Sequence, residues 1–279
     1  MPLRSRSACA PRSSLRREPK RKVRVLVTRP QPQADAWVAR LRARGIDAQA
    51  LPLIEIAAPA DATPLAHAWR TLAPRALVVF VSPSAVDAFF AGRPHLAQWP
   101  PALEAASVGP GTTRALHAAG VATVVEPPPD TAQFDSEALW LQLSTRDWRG
   151  RPVLIVRGDG GREWLAEQLR AAGANTDAVA AYARRTPAFD AAATSTLAAA
   201  LAAPDQHLWL FSSSEAIDNL GYAVAASADW SHASAVATHA RIAMRARELG
   251  IGTVIEARAP FDAVVAAIEQ LSAARAKAC

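Results

Sequence analysis

Short apolar runs with little polar alternation recur along the chain, separated by stretches in which apolar positions return every three or four residues. The runs are VRVLVT (23–28), ALVVFVS (76–82), ASVG (106–109) and TVVE (123–126), then PVLIVRG (152–158), HLWLFSS (207–213), SAVAT (234–238) and TVIE (253–256). Runs of this kind suit parallel strands covered on both faces. The intervening periodicity predicts helices over 34–44, 84–91, 111–119, 162–172, 215–226 and 241–249. Strand–helix alternation predicts an α/β fold with parallel sheets of the doubly wound type.

The alternation runs twice. VLVTRPQPQADAWVARLRARG from Val25 is echoed by VLIVRGDGGREWLAEQLRAAG from Val153, a separation of 128. FVSPSAVDAF from Phe80 matches FSSSEAIDNL from Phe211 at 131, and GVATVVE from Gly120 matches GIGTVIE from Gly250 at 130. That period is too long for a solenoid repeat and right for one small α/β domain, so two domains related by internal duplication are expected. LPLIEIAAP (51–59) and AVAAYARRTP (178–187) are matching extended segments, each ending at a proline. They follow the first strand–helix unit of each half, and their equivalence predicts that the chain crosses between the domains there.

In an open parallel sheet, ligands bind beyond the carboxyl ends of the strands, so the chemistry is sought in the turns. Ser82 is a helix N-cap candidate with Pro83 at the first helical position and Ser84 behind it; Pro110 plays the same part after Gly109. Gly109 and Gly111 permit close backbone approach, as do Gly160 and Gly161 before a helix expected to start near Arg162. Ser212, Ser213 and Ser214 occupy the matching turn of the second half. Each turn offers unpaired N–H groups and a positive helix end, which suits an anion. Ordinary helix capping is the plainer reading of any one of them. Asp159 and Glu163 are read as compensating a helix N-terminus, and the tryptophans, Trp69, Trp99 and Trp140 among them, as packing. His239 reads equally as a polar site group or a capping residue. Tyr182, in the second crossover segment, is a phenol held between two domains and a candidate proton donor, with hinge packing as the alternative.

Charge sharpens this picture. Residues 1–22 hold eight Lys/Arg and one acid, so the formal +6 of the chain comes from this tail, and 23–279 carries −1. The tail is expected to be disordered. It lacks the apolar core of a secretory signal; a transit peptide or an early start codon are alternative readings of it. No apolar run reaches the ~18–20 residues of a membrane span. Cys9 and Cys279 sit at opposite ends and the six histidines show no ligand spacing, so no disulfide framework and no metal site is expected, which fits a reducing compartment. There is no G-x-S-x-G elbow, no P-loop and no third glycine for a dinucleotide fingerprint.

The order and spacing of VLVTRP, LPLIEI, FVSPSAV, VGPGTTRAL, DSEAL at Asp135, VLIVRGDGGREWL, AAYARRTP and LFSSSEAI resemble the uroporphyrinogen-III synthase family over nearly all of 23–279. The resemblance implies two domains joined by a two-stranded ladder built from 51–56 and 178–184. One domain is then discontinuous, 23–53 plus 185–279, and 54–184 forms the other. It implies cyclisation of the linear tetrapyrrole hydroxymethylbilane, with inversion of ring D and loss of water. No cofactor, metal, nucleic acid or membrane is implied, and a cytoplasmic monomer is expected. Tyr182 falls where the family has its candidate acid. The implied substrate contacts are Thr28, Arg29, Ser82, Pro83, Ser84, Gly109, Gly111, Thr112, Thr113, Arg157, Gly158, Gly160, Gly161, Arg162, Ser212, Ser213, Ser214, Thr238, His239 and Arg241. Backbone amides are expected to carry most of the binding, with few charged partners.

The chain departs from the pattern near its C-terminus. Where the family commonly has Gly-Pro-Thr-Thr, this sequence has His239, Ala240, Arg241 and Ile242. Either Thr238, His239 and Arg241 contact carboxylates instead, or this turn contributes less. The rivals to a synthase are a non-catalytic two-lobed protein closing on an anionic ligand and a sugar-nucleotide transferase, for which the chain is short.

Overall fold

The computed structural model describes residues 23–224 and 228–278; the basic tail, both cysteines and the end of the helix expected over 215–226 lie outside the described residues. Two sheets carry the fold. The first contains β1 (Arg24–Val27), β2 (Ala48–Ala50), β9 (His207–Phe211), β10 (Ser234–Ala237) and β11 (Thr253–Glu256), in the order β11-β10-β9-β1-β2. The second contains β3 (Glu55–Ala57), β4 (Leu77–Phe80), β5 (Ala105–Ser107), β6 (Val124–Val125), β7 (Pro152–Gly158) and β8 (Asn175–Arg185), in the order β3-β8-β7-β4-β5-β6. All pairs are parallel except β3 with β8.

The duplication persists in the register. Val25 faces Leu208 across β1 and β9, and its counterpart Val153 faces Leu77 across β7 and β4. The outer pairs agree as well: Ala235 with Val254 matches Ala105 with Val124, and Val25 with Ala48 matches Val153 with Thr176. Each sheet therefore joins the first strand–helix unit of one repeat to the three later strands of the other. We call the unit around the first sheet lobe A and that around the second lobe B.

Both lobes are three-layered because successive strand residues point to opposite faces. In lobe A, Leu26 packs with α7 (Ala191–Ala202), α8 (Ser214–Ala223) and α9 (Ala240–Glu248). Val25 and Val27 face α1 (Gln33–Ala43) and α10 (Phe261–Ala278) instead. In lobe B, Val78 and Phe80 face α2 (Thr63–Arg70), α3 (Pro83–Ala91) and α4 (Pro110–Ala118), while Leu77 and Val79 face α5 (Ser136–Leu143) and α6 (Trp164–Ala171). Sealing a central strand on both faces removes several large side chains from water, each worth about 1.5–3 kcal/mol.

The crossover segments meet in a short antiparallel ladder, Glu55 with Arg185, Ile56 with Arg184 and Ala57 with Ala183. It is shorter than the 51–56/178–184 pairing expected, because Leu51, Leu53 and Ile54 are buried in the core of lobe A instead. Buried Asn219 holds both crossings: its amide donates to the Leu53 carbonyl at 2.8 Å, and its carbonyl accepts from the Thr186 hydroxyl at 3.0 Å. Helices α2, α5, α7 and α10 and strand β2 go beyond the sequence reading. Ala48-Gln49-Ala50 has no apolar signature of its own and is a strand only because β1 lies beside it. Among the described residues no helix is long and apolar enough to cross a membrane.

Candidate active site

The carboxyl ends of both sheets open on one cleft of about 750 Å³ between the lobes. Its walls are strand-to-helix turns, and the local sequence explains each. Ser82 is extended and its Oγ accepts from the Ala85 amide at 3.1 Å, capping α3, whose first residue Pro83 has no N–H to satisfy. Gly109 precedes Pro110 at the head of α4, and a Cβ there would lie 2.8 Å from Cβ of Phe134, so only glycine lets the Phe134 loop approach. Ser212, Ser214, Thr238, His239, Arg241 and Ile242 bring the first turns of α8 and α9 to the same space. The cleft thus collects helix N-termini, with their unpaired amides, from two lobes.

Several interactions cross between the lobes. Gln33 donates to Ser84 Oγ at 3.0 Å, Gln133 to Glu256 at 3.0 Å, and Arg258 to the carbonyls of Pro129 and Thr131. His239 caps α9 by accepting the Arg241 amide on Nδ1 at 3.1 Å, which leaves the proton on Nε2, directed at Asp135 at 3.4 Å. Asp135 in turn caps α5 through the Ala138 amide. His239 therefore caps its helix, and it also lines the cleft.

The expected contacts divide into groups. Arg29, Ser82, Pro83, Gly109, Gly111, Thr112, Ser212, Ser214, Thr238, His239 and Arg241 line the cleft. Arg157, Gly158, Gly160, Gly161, Arg162 and Tyr182 line a separate cavity of about 130 Å³ in lobe B, adjoining the first through Val81. Ser213 lies at the head of α8 beside the cleft wall. Thr28 is buried, its hydroxyl donating to the Leu210 carbonyl at 2.8 Å. Thr113 is also buried, its hydroxyl 2.6 Å from that of Ser107. Ser84 is taken up by Gln33. Asp159, read as compensating a helix end, accepts the Arg184 amide at 2.9 Å and so belongs to the bulged end of β8.

Tyr182 stands behind the cleft wall. It is buried, its ring lies against Gly158, and its hydroxyl is 3.1 Å from Ser82 Oγ. Ser82 is therefore the group that connects the phenol to the cleft.

The charged groups differ most from the sequence expectation. Arg157 is paired with Glu163 at 2.5 Å, and Arg162 makes a two-point bond to Glu137 at 2.6 and 2.9 Å. That bond holds the Glu137 carboxyl down at about 2. Arg29, Arg40 and Arg114, which also line the cleft, have no carboxylate partner among the described residues. Arg29 rests over the Trp37 ring at 4.4 Å, and Arg40 over Phe261 at 3.8 Å. Burial, and then the Arg114 charge, pull the Arg29 guanidinium down to about 10. Arg40, Arg114, Trp37, Gln33 and Phe134 were not expected at the site. For α1 a signal existed, since Gln33, Trp37 and Arg40 share one helical face. Trp37 is both packing for lobe A and a wall of the cleft. Among the described residues no three His, Cys, Asp or Glu side chains gather as for a metal ion.

Fold and cleft define a two-lobed, internally duplicated α/β protein with helix N-termini and arginines lining the space between its lobes. The family model described as Uroporphyrinogen-III synthase HemD matches residues 35–266. The Uroporphyrinogen-III synthase of Salmonella typhimurium is 36% identical over 173 residues, covering 60% of this chain and 68% of that protein. The Escherichia coli protein of the same name is 32% identical over 170 residues, with the same coverages. Among solved structures, a mutant uroporphyrinogen III synthase from the extremely thermophilic bacterium Thermus thermophilus shares the fold at TM-score 0.56 and 16% identity, covering 89% of this chain and 98% of that one. The uroporphyrinogen-III synthetase of Helicobacter pylori does so at 0.54 and 13%, covering 89% and 99%. The chain belongs to the uroporphyrinogen-III synthase family.

Proposed function

We infer that the chain is a uroporphyrinogen-III synthase, a lyase of haem biosynthesis that cyclises hydroxymethylbilane to uroporphyrinogen III. Beyond family membership, the observation that carries this reading is the cleft. Helix N-termini from both lobes and unpaired arginines converge on a space of about 750 Å³, which suits a folded chain of pyrroles bearing many carboxylates. We place the domain division at 23–53 plus 185–279 and 54–184, so that the ligand lies between units joined covalently only at the crossovers.

Catalysis on this reading begins with protonation of the substrate's hydroxymethyl oxygen, which leaves as water and gives an azafulvene cation. The substituted carbon of ring D attacks, forming a spiro intermediate; reopening and reclosure invert the ring. The proton of the unsubstituted terminal pyrrole carbon is lost on closure, so the acid given up in the first step is restored in the last. Tyr182 supplies that acid through Ser82: the Ser82 hydroxyl hands its proton to the leaving oxygen and takes the phenol's, over the observed 3.1 Å. The turns of α3, α4, α8 and α9 hold the carboxylates and so fix the conformation in which ring D can flip. The reading takes the protein as a cytoplasmic monomer working without cofactor, nucleic acid or membrane.

The test supplies hydroxymethylbilane and resolves the two uroporphyrinogen isomers by chromatography after oxidation. Predominant type III product is expected; type I alone, at the rate without enzyme, refutes the reading and leaves a non-catalytic anion-binding protein.

A further inference from the structure

The two copies of the repeat treat the same arginine in opposite ways. Arg29 and Arg157 occupy matching positions at the carboxyl end of the first strand of each repeat, Arg29 two residues beyond β1 and Arg157 the penultimate residue of β7. Arg157 carries the Glu163 carboxylate at 2.5 Å, and its neighbours Arg162 and Arg184 are likewise paired, with Glu137 and Glu215. In the first copy the position matching Glu163 is Asp35, which instead accepts two bonds from Gln31 at 2.8 Å. Arg29 is left alone. Its Nε is enclosed by protein and has no hydrogen-bond partner.

Two more arginines share that isolation. Arg40 comes from the same helix face as Trp37, and Arg114 comes from α4 of the other lobe. Neither has an ion pair or a side-chain hydrogen bond among the described residues. Asp262, whose charge reaches Arg40, is bonded to Arg44 at 2.6 Å. The charge of Arg114 also disfavours the protonated forms of both Arg29 and Arg40. A buried donor without a partner costs stability, and so does a cluster of like charges in a partly dry cleft. Such an arrangement is kept where a ligand completes it.

We propose that Arg29, Arg40 and Arg114 form a carboxylate subsite spanning the two lobes, in which a ligand carboxylate takes the place on Arg29 that Glu163 holds on Arg157. The anion binds the planar fork of Arg29 and is held from the facing lobe by Arg114, with Arg40 at its side. Trp37 and Phe261 fix the guanidinium planes from behind. The subsite rests on the synthase reading for the identity of the ligand, a pyrrole acetate or propionate group. It adds arginines free of carboxylate partners to a cleft whose other cation, Arg241, lies near Asp135 and Glu137.

The experiment measures binding and turnover separately. Uroporphyrin III, an octacarboxylate, and coproporphyrin III, a tetracarboxylate, are titrated against the full chain by quenching of tryptophan fluorescence. Variants Arg29→Gln, Arg40→Gln, Arg114→Gln and Arg29→Lys are compared with wild type. Loss of one charge-assisted bond predicts uroporphyrin binding weaker by about tenfold to a hundredfold for Arg29→Gln, with partial recovery in Arg29→Lys. Each Gln variant is expected to show a shallower dependence on salt. KM for hydroxymethylbilane should rise in parallel, with a smaller change in kcat. The urea midpoint of Arg29→Gln should hold or rise, since an unpaired buried charge has been removed; an arginine kept for structure would lower it. Variants that bind uroporphyrin as wild type does, with unchanged salt dependence, overturn the subsite even if the enzyme makes type III product. Weakened binding in a protein that makes none upholds the subsite and overturns the synthase reading alone.

Discussion

Gly158→Ala tests whether the position of Tyr182, rather than the integrity of lobe B, governs turnover. A Cβ added at Gly158 would lie 2.8 Å from Cζ, 2.9 Å from Cε2 and 3.2 Å from the hydroxyl of Tyr182. Carbon atoms settle about 3.5–4.0 Å apart, so the ring must withdraw by roughly 0.7–1.2 Å. It cannot swing into solvent, being 4% exposed among the aromatic and aliphatic side chains of the lobe B core. A shift of that size is enough to break the 3.1 Å contact between the phenol and Ser82. Overpacking of this kind costs about 1–3 kcal/mol of stability, and a misplacement near 1 Å costs about a hundredfold in rate. The assay pairs the type III to type I ratio from hydroxymethylbilane with urea unfolding of the same preparation. Tyr182→Phe is the companion variant: it keeps the ring that fills the space above Gly158, so its unfolding midpoint should stay near wild type while turnover falls by about 100-fold or more. The double variant should turn over no more slowly than Tyr182→Phe alone, because the displaced group has already lost its hydroxyl. If Gly158→Ala lowers the urea midpoint yet turns over like wild type, the Tyr182–Ser82 contact has no part in the chemistry.

Two further outcomes follow from single bonds. Arg162 holds the Glu137 carboxyl at about 2 in the folded protein, against 4.5 ordinarily, so its stabilisation is fully present above about pH 4.5 and is lost as pH falls towards 2. Both side chains are more than one-third exposed, so solvent screening keeps the effect below about 1 kcal/mol. Urea midpoints of wild type and Glu137→Gln should differ at pH 6 in low salt and converge near pH 2; a gap that ignores pH refutes this. Thr28→Val keeps the shape of a buried side chain but removes the donor to the Leu210 carbonyl, 2.8 Å away. A stability loss of about 1–2 kcal/mol with unchanged KM is expected; a raised KM with unchanged stability would put that hydroxyl on the ligand instead.

Local chemistry carried much of the reading. The apolar runs around Val25, Val79, Ile155 and Leu210 are strands because their residues can be covered on both faces, and that need is visible in one dimension. Ser82-Pro83 and Gly109-Pro110 start helices because the signal is confined to a few adjacent residues. The repeat of 128–131 residues likewise anticipated two similar sheets, since equivalent strands pair in equivalent register. The helical period of α10, with Phe261, Val264, Val265, Ile268 and Leu271 on one face, was also present in the sequence, although no helix was expected there. By contrast, β2 is too short and too weakly apolar to announce itself and exists through its neighbour, while the extended segment read at 51–59 yields only the three residues of β3.

Tertiary structure alone decided which turns share a space and which charges remain unpaired. Arg29 and Arg157 differ nearby, with Asp35 where the second copy has Glu163, but only the folded chain shows that Glu163 reaches its arginine while Asp35 is engaged by Gln31. Arg114 meets Arg29 only because the lobes bring α4 opposite α1 across some 85 residues of chain. Tyr182 could be read as a phenol between domains, but only packing places it behind Ser82 rather than in the open cleft. Covering apolar strands is a short-range requirement written residue by residue. Charge pairing and access depend on atoms distant in the chain, and these are fixed only when both lobes have closed around the cleft.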